Sequence, residues 1–250
     1  MSMAYLMLWP VELRSTYEYG CQVSVSPERV VTYHAPLMPP GEIIHEWRSH
    51  RNYPQEHLTS ELPILRPGTT YHLDGNVTVT GGGIYLRIRF FDVNQQELPE
   101  VILDGTSGDF EMPELAVSYH VELVNTHHDQ VIFRSLLLTD AQTFQDYTFT
   151  INQFLGTVVA QPEQASAPYV SLVVRQTATK PLNLVADRLN FITYVSPYQL
   201  GNVHWVDKIN QELRAFLAQH PAASPEKSGL TAWQTKLRYW QSLLLREDQK

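Results

Sequence analysis

Residues 36–92 have the sequence PLMPPGEIIHEWRSHRNYPQEHLTSELPILRPGTTYHLDGNVTVTGGGIYLRIRFFD. Two turns, at Pro39-Pro40-Gly41 and Pro67-Gly68, divide this stretch, because proline presets φ and glycine accepts the strained position. Apolar and polar residues then alternate over residues 71–80 and again over 84–91. A period of two is typical of β-strands, so the stretch predicts a sheet with long connections. The glycines at 81–83 predict that the two runs form a β-hairpin.

The same alternation continues on both sides of this stretch. It predicts further strands at residues 4–9, 16–25, 29–34, 42–47, 117–124, 131–138, 147–154, 169–175 and 182–194. A helical period is not found before about residue 200. Many short strands of this kind predict a mainly β fold, a β-sandwich of jelly-roll type.

The C-terminal part has a different pattern. Apolar residues recur at helical spacing over 206–217, a stretch rich in Pro, Ser and Ala follows at 221–228, and a second apolar stripe occupies 230–244. We therefore expect a β-sandwich domain over residues 1–197 and a C-terminal helical extension, of two helices and a linker, over 198–250. Because an apolar stripe is costly in water, its large residues are candidates for binding a partner or the sandwich: Trp233, Leu237, Trp240 and Leu244.

Composition excludes several classes of function. The 250 residues carry 26 acidic and 18 basic side chains, a formal net charge of −8, which disfavours nucleic acid and anionic membrane surfaces as partners. The single cysteine, Cys21, permits neither an intrachain disulfide nor a zinc site built from cysteines. The opening residues predict no signal peptide, and no apolar run reaches the length of a membrane span. These features favour a cytoplasmic, soluble protein.

The sequence contains no recognisable catalytic motif. It contains no Gly-x-Ser-x-Gly and no His-Glu-x-x-His, and it predicts no cofactor and no metal site. Paired carboxylates of a glycoside-processing enzyme stay open as an alternative, with Glu46 and Glu97 among several candidates. A sugar-binding site is the other alternative: Trp47 and Tyr53 could stack on a pyranose ring, while Arg48 and Asn52 bond its hydroxyls.

An ordered series of short motifs adds a family resemblance. The series consists of Met38-Pro39-Pro40-Gly41, Trp47 with Ser49, Asn52-Tyr53, Leu62-Pro63 and Phe90-Phe91-Asp92, with Trp9, Thr16-Tyr17 and Tyr19-Gly20 before it. It resembles the third accessory secretion protein of the accessory Sec system, which exports serine-rich-repeat glycoprotein adhesins. The resemblance covers about the first 95 residues and extends towards residue 138.

The resemblance implies a non-catalytic, cytoplasmic protein whose β-sandwich is similar to a carbohydrate-binding module. It implies a complex with the two other accessory secretion proteins that works with the accessory SecA motor, peripherally at the membrane, and binds the glycosylated adhesin. No site residues carry over from the motifs. A stand-alone carbohydrate-binding module is the alternative function.

Overall fold

The computed structural model describes residues 3–10, 15–26, 29–51, 60–163, 169–175, 182–184, 188–194, 203–220 and 224–227. Its residues separate into two compact units. One consists of 3–141 with 179–182, and the other of 1–2, 142–178 and 183–250. The sequence predicted one sandwich domain over 1–197. Strands after residue 146 pair mainly with one another in a sheet of their own. The domain boundary at 197 stays a prediction.

The first unit is built mainly from ten strands. They are β1 (Met3–Met7), β2 (Gln22–Val25), β3 (Val31–His34), β4 (Ile43–Arg48), β5 (Thr70–Thr80), β6 (Gly83–Phe91), β7 (Glu97–Leu103), β8 (Ser107–Glu111), β9 (Ser118–His127) and β10 (Gln130–Asp140). The strands β7 and β8 were not predicted from the sequence.

These strands form two sheets. A four-stranded antiparallel sheet has the order β4–β9–β6–β7. In a seven-stranded sheet, β10 is central: β5 and then β8 lie on one side of it, and β1 and β3 share its other side. The strand β2 flanks β3, and β14 (Leu182–Asn183) flanks β1. The predicted mainly β sandwich is confirmed.

Consecutive strands often lie in opposite sheets, so the predicted hairpin between residues 71–80 and 84–91 is wrong. The strand β5 pairs with β10 and β8, whereas β6 pairs with β9 and β7. Gly81 and Gly82, with φ of 78° and 151°, turn the chain from one sheet to the other. The connection between β9 and β10 also crosses between the sheets, and Asp129 N–H donates to Thr80 O at 2.9 Å, so the two crossings support each other.

The core of this unit lies between the two sheets. Trp47 on β4 and Phe133 on β10 face each other with ring centroids 5.5 Å apart, and Phe90 on β6 contacts Phe110 on β8 at 6.2 Å. Along β6 the inward residues alternate with more exposed ones, which is why the sequence pattern identified them. Burial of this apolar area, at about 25 cal/mol per Å², is the main stabilising contribution to the fold.

The remaining elements of the described part of the chain are α1 (Ala141–Asp146), β11 (Tyr147–Asn152), β12 (Thr157–Pro162), β13 (Tyr169–Arg175), β15 (Leu189–Tyr194), α2 (Val203–Gln219) and β16 (Ser224–Lys227). The second unit contains a five-stranded sheet of order β11–β12–β15–β13–β16. None of the described helices is long and apolar enough to cross a bilayer.

The predicted helix at 206–217 is confirmed by α2. On its inner side, Glu212 accepts hydrogen bonds from Asn152 and Thr157, at 3.1 and 2.7 Å. Part of the stretch expected to be a linker instead forms β16, which pairs parallel with β13. The second predicted helix, at 230–244, lies outside the described residues.

Candidate functional site

The outer face of the four-stranded sheet carries a dense set of charged side chains. Alternation along β4, β6 and β9 turns Trp47, Ile88 and Val121 inward, so their neighbours point outward. The pairing register then places the outward residues of the three strands side by side. We call this set the charged face: Glu46, Arg48, Arg87, Arg89, His120 and Glu122.

Glu122 is at the centre of the charged face. Its side chain is fully buried, and Arg87 Nε donates to Oε2 at 2.5 Å while Arg89 Nη1 donates to Oε1 at 3.2 Å. Arg87 also lies 3.9 Å from Glu100, and Arg89 pairs with Glu97. A carboxylate buried in this way needs both guanidinium partners, because an unpaired buried charge is strongly unfavourable.

Glu46 forms the second carboxylate of the charged face. Arg48 Nε donates to its Oε2 at 2.7 Å, and His120 Nδ1 lies 2.7 Å from Oε1 in a contact that is short but poorly aligned for a hydrogen bond. Burial alone would raise the pKa of Glu46. The contacts with His120 and Arg48 outweigh burial and lower this pKa to about 2. Glu46 is therefore ionised at neutral pH.

Metal binding is one use of such a cluster. The ligand atoms of Glu46, His120 and Glu122 all lie within 4.8 Å of one another, a spacing that could hold an ion. Both carboxylates, however, already bond to arginines, which a divalent cation would have to displace while remaining close to their positive charge. The donor set therefore fits guanidinium pairing better than a metal ion.

The charged face can also present hydrogen bonds to a polar ligand. The side chains of Arg48 and Arg89 are 34% and 26% exposed. Phe91 lies beside them but is buried, with the Arg89 guanidinium 5.4 Å from its ring centroid and the His120 ring at 4.5 Å. The exposed parts of the charged face are therefore polar, and such donors and acceptors can bond carbohydrate hydroxyls.

The sequence predicted a sugar-binding site formed by Trp47, Arg48, Asn52 and Tyr53, and the structure describes the first two of these residues. Trp47 is 1% exposed, and its indole N–H donates to Leu8 O at 3.1 Å. Its ring is packed in the core, so a pyranose ring could not stack on it in this conformation. Arg48 belongs to the charged face, whereas Asn52 and Tyr53 lie outside the described residues. A role for Arg48, Asn52 and Tyr53 in sugar binding stays a prediction.

The partner-binding residues expected in the C-terminal stripe, Trp233, Leu237, Trp240 and Leu244, also lie outside the described residues. Their role stays a prediction. Cys21 is half-buried and donates its S–H to Tyr17 O at 3.2 Å.

A Ser–His–Asp chain of hydrogen bonds lies on the seven-stranded sheet, and sequence reasoning missed it. His72 Nδ1 lies 2.6 Å from Asp109 Oδ1, and Ser107 Oγ lies 3.3 Å from His72 Nε2. These are the residue types of an acyl-transfer triad, in which the acid is buried. Here the Asp109 side chain is 59% exposed, so water competes for its contact with His72. The chain is better explained as a surface link between β5 and β8.

Comparison with known proteins gives one family. A family model described as accessory Sec secretory system ASP3 matches residues 16–140. A Staphylococcus aureus protein with the corresponding accessory Sec name is 25% identical over 267 residues, which covers 89% of this chain and 83% of the relative. A Streptococcus gordonii protein of the same name is 29% identical over 126 residues, covering 50% of this chain and 79% of the relative.

Solved structures that are similar to this chain include the following two. One belongs to a crystal structure of accessory secretory proteins 1, 2 and 3 from Streptococcus pneumoniae, with a TM-score of 0.51 and 29% identity over 54% of this chain and 94% of that chain. The other is a glycosylation associate protein (Gap123) complex from Streptococcus agalactiae, with a TM-score of 0.54 and 17% identity over 96% of this chain and 87% of that chain.

Proposed function

The chain belongs to the accessory Sec secretory system ASP3 family, and from this membership we propose that it assembles with the two other accessory secretion proteins and supports export of serine-rich-repeat glycoproteins. The observation that carries this proposal is the extent of the family match. Residues 16–140 span β2 to β10 and nearly coincide with the sandwich unit at 3–141. The part that the family model matches is therefore most of one folded unit.

We propose that the protein acts by binding and not by catalysis. A glycoside-processing enzyme needs one carboxyl group that keeps its proton near neutral pH, with its pKa raised. In the charged face, Glu46 has its pKa lowered to about 2, and Glu122 is held between two guanidinium groups. These are the properties of a fixed ionic network, which supports an adaptor role. From the family membership alone we propose that this adaptor works in the cytoplasm, next to the accessory SecA motor.

Co-purification tests the assembly. The full chain is co-expressed with the two other accessory secretion proteins of the same organism, captured through a tag on one of them, and analysed by size-exclusion chromatography with light scattering. We expect one peak that contains all three proteins. A chain that elutes alone as a monomer beside its two partners would contradict the proposal.

A second candidate function is recognition of the glycosylated adhesin by the charged face. The observation that favours it is the partly exposed arginines, Arg48 and Arg89, which carry hydrogen-bond donors on the outer face of the four-stranded sheet. Arginine also bonds sugar hydroxyls through its fixed fork of donors. This function does not require the buried Trp47.

Calorimetry with serine-rich peptides that carry N-acetylglucosamine tests the second function. We expect Arg89→Ala to weaken binding about tenfold, as the loss of a charged hydrogen bond should. Arg134→Ala is the matched control, because Arg134 lies on the seven-stranded sheet, where it donates to Thr78. Equal affinity of wild type and Arg89→Ala, or the absence of binding by the wild type, would remove the charged face from adhesin recognition.

A further inference from the structure

Four large apolar side chains are exposed at one end of the sandwich. Ile64, Val93, Leu115 and Val117 are 87%, 75%, 73% and 57% exposed. They lie on three connections: residues 62–69 before β5, residues 92–96 between β6 and β7, and residues 112–117 between β8 and β9. We call these four residues the apolar end.

The strand directions bring the three connections together. The strands β5 and β9 begin at this end, and β6 and β8 finish there, as their antiparallel registers show. Backbone hydrogen bonds then link the connections: Val117 N–H donates to Phe91 O at 2.9 Å, and Gly68 N–H donates to Met112 O at 2.7 Å. Tyr119 Oη donates to Pro63 O at 3.0 Å.

The exposed residues differ from their neighbours in the same connections. Leu62, Leu65, Met112 and Ala116 are buried and close the end of the core. Ile64 and Leu115 alternate with these residues and point away from the core, so folding does not explain their apolar character. Single apolar residues on a surface are ordinary, but several on adjoining connections mark a contact site.

The surroundings of the apolar end are mainly acidic. The exposed charges on the same connections and strand ends are Glu97, Glu111 and Glu114, with Asp92 half-buried, against one exposed base, Arg66. Glu97 pairs with Arg89. A partner that fits this surface therefore carries an apolar pocket with basic side chains around it. A second copy of this chain fits less well, because two acidic rims would face each other and the whole chain has a net charge of −8.

The relatives indicate which part of the chain carries such a contact. The similar chain in the structure of accessory secretory proteins 1, 2 and 3 is matched over 94% of its own length, yet it covers only 54% of this chain. A chain of little more than half this length is therefore present in a complex of that kind. The family match, residues 16–140, contains all four residues of the apolar end.

We propose that the apolar end is the surface on which one of the two other accessory secretion proteins docks, through an apolar pocket that has a basic rim. This inference rests on the proposed assembly and adds the position of the contact. Burial of four such side chains in a partner supplies the apolar centre that stable interfaces have, while the acidic residues form its polar rim.

Two aspartate substitutions test the position. Ile64→Asp and Leu115→Asp each place a charge in the apolar centre, and capture of the full chain by its two co-expressed partners is expected to fall about tenfold or more. The matched control is Leu37→Asp. Leu37 is 88% exposed but follows β3 at the opposite end of the sandwich, and capture of this variant should equal that of the wild type. Thermal unfolding checks that all three variants are folded.

The outcomes separate the two proposals. If the wild type is not captured, the proposed assembly itself is wrong. If the wild type assembles and the two variants assemble equally well, the docking position is wrong. Should an aspartate variant fail to fold, Leu115→Ser provides the milder change, and its capture must still be reduced. A wild type that dimerises alone, and loses the dimer in Leu115→Asp, would assign the apolar end to a second copy instead.

Discussion

His45 shows what the core does to a single ionisable residue. Its ring stacks on Trp9 with centroids 4.6 Å apart, meets the Trp47 ring edge-on at 4.4 Å, and its Nδ1 lies 2.7 Å from Thr16 Oγ1. Burial lowers the pKa of His45 to about 3, with Glu46 opposing this effect and Arg51 adding to it. The imidazole is therefore neutral in the folded protein at any pH above about 3.

This lowered pKa predicts a pH dependence of stability. In the unfolded chain His45 takes up a proton below its ordinary pKa of about 6.5, whereas in the folded chain it does not. The stability present above pH 6.5 is therefore lost progressively as the pH falls from about 6.5 towards 3. We expect His45→Phe to reduce the slope of unfolding free energy against pH between 6.5 and 5, measured by urea denaturation.

The experiment on His45→Phe needs a control variant, and the substitution also removes a contact. His50→Phe makes the same replacement at an exposed histidine and serves as the control. The loss of the contact with Thr16 costs about 1 kcal/mol at all pH values, so the slope and not the absolute stability is decisive. An unchanged slope in His45→Phe would show that His45 is protonated equally in both states.

At the same scale, Trp47 shows the limit of sequence reasoning about a site. Alternation identifies the two faces of β4 but does not say which face is inside, and here Glu46 and Trp47 are both buried. The indole was assigned to a sugar platform although it is part of the core. The arginines of the charged face went unnoticed because only the pairing register brings Arg87 and Arg89 to Glu122, more than thirty positions away.

Among the connections between strands, the crossing from β5 to β6 leaves almost no room for a side chain. Gly82 has a φ of 151°, and a Cβ placed there would lie 1.9 Å from the backbone oxygen of His127. That oxygen belongs to the other crossing, which cannot retreat without breaking the hydrogen bond from Asp129 to Thr80. Gly81 and Gly82 therefore allow the two crossings to pack closely at this end of the sandwich.

We expect Gly82→Ala to destabilise the protein by about 2–4 kcal/mol, because both backbone strain and a backbone collision oppose it. Gly105→Ala is the control. Gly105 also has a positive φ, of 86°, but nothing lies within 4 Å of its added Cβ, so only the strain of about 1 kcal/mol applies. Urea denaturation of both variants measures the difference. Equal losses would mean that the collision is relieved without cost.

The sequence predicted the strands of this crossing but not its connection. Glycine-rich turns and alternating flanks are the same for a hairpin and for a crossing between sheets. The difference lies in the distant partners, because β10 pairs with β5 and β9 pairs with β6. Local residues cannot report a choice that is made by strands that follow much later in the chain.

For the whole molecule, the division near residue 141 has a direct consequence. Every member of the hydrophobic core cluster of the first unit falls between Tyr5 and Leu138. We therefore expect a fragment of residues 1–141 to unfold in a single cooperative transition, as a domain of this length with its own core does. Urea titration followed by near-ultraviolet circular dichroism measures it. A gradual, non-cooperative change would show that the fragment needs the rest of the chain.

The boundary was predicted at 197 because strands in both units alternate in the same way. The change occurs where Asp140 ends β10 and the next strands pair with one another. The alternation of apolar and polar residues is the same on both sides of Asp140, so it does not mark the change from one sheet to the other. The helix α2 was found because its period of 3.6 differs from that of its surroundings, whereas the strand β16 lies in a stretch whose Pro and Ser suggested a linker.

The middle positions of β9 and β10 determine when this sandwich can form during translation. Both strands are central in their sheets and both are synthesised after the strands that they join. A nascent chain that has not yet emerged beyond about residue 140 lacks the central strand of the seven-stranded sheet, and most contacts of the fold join residues distant in sequence. Such a fold closes slowly, and its early strands stay unpaired and exposed until β9 and β10 have been synthesised.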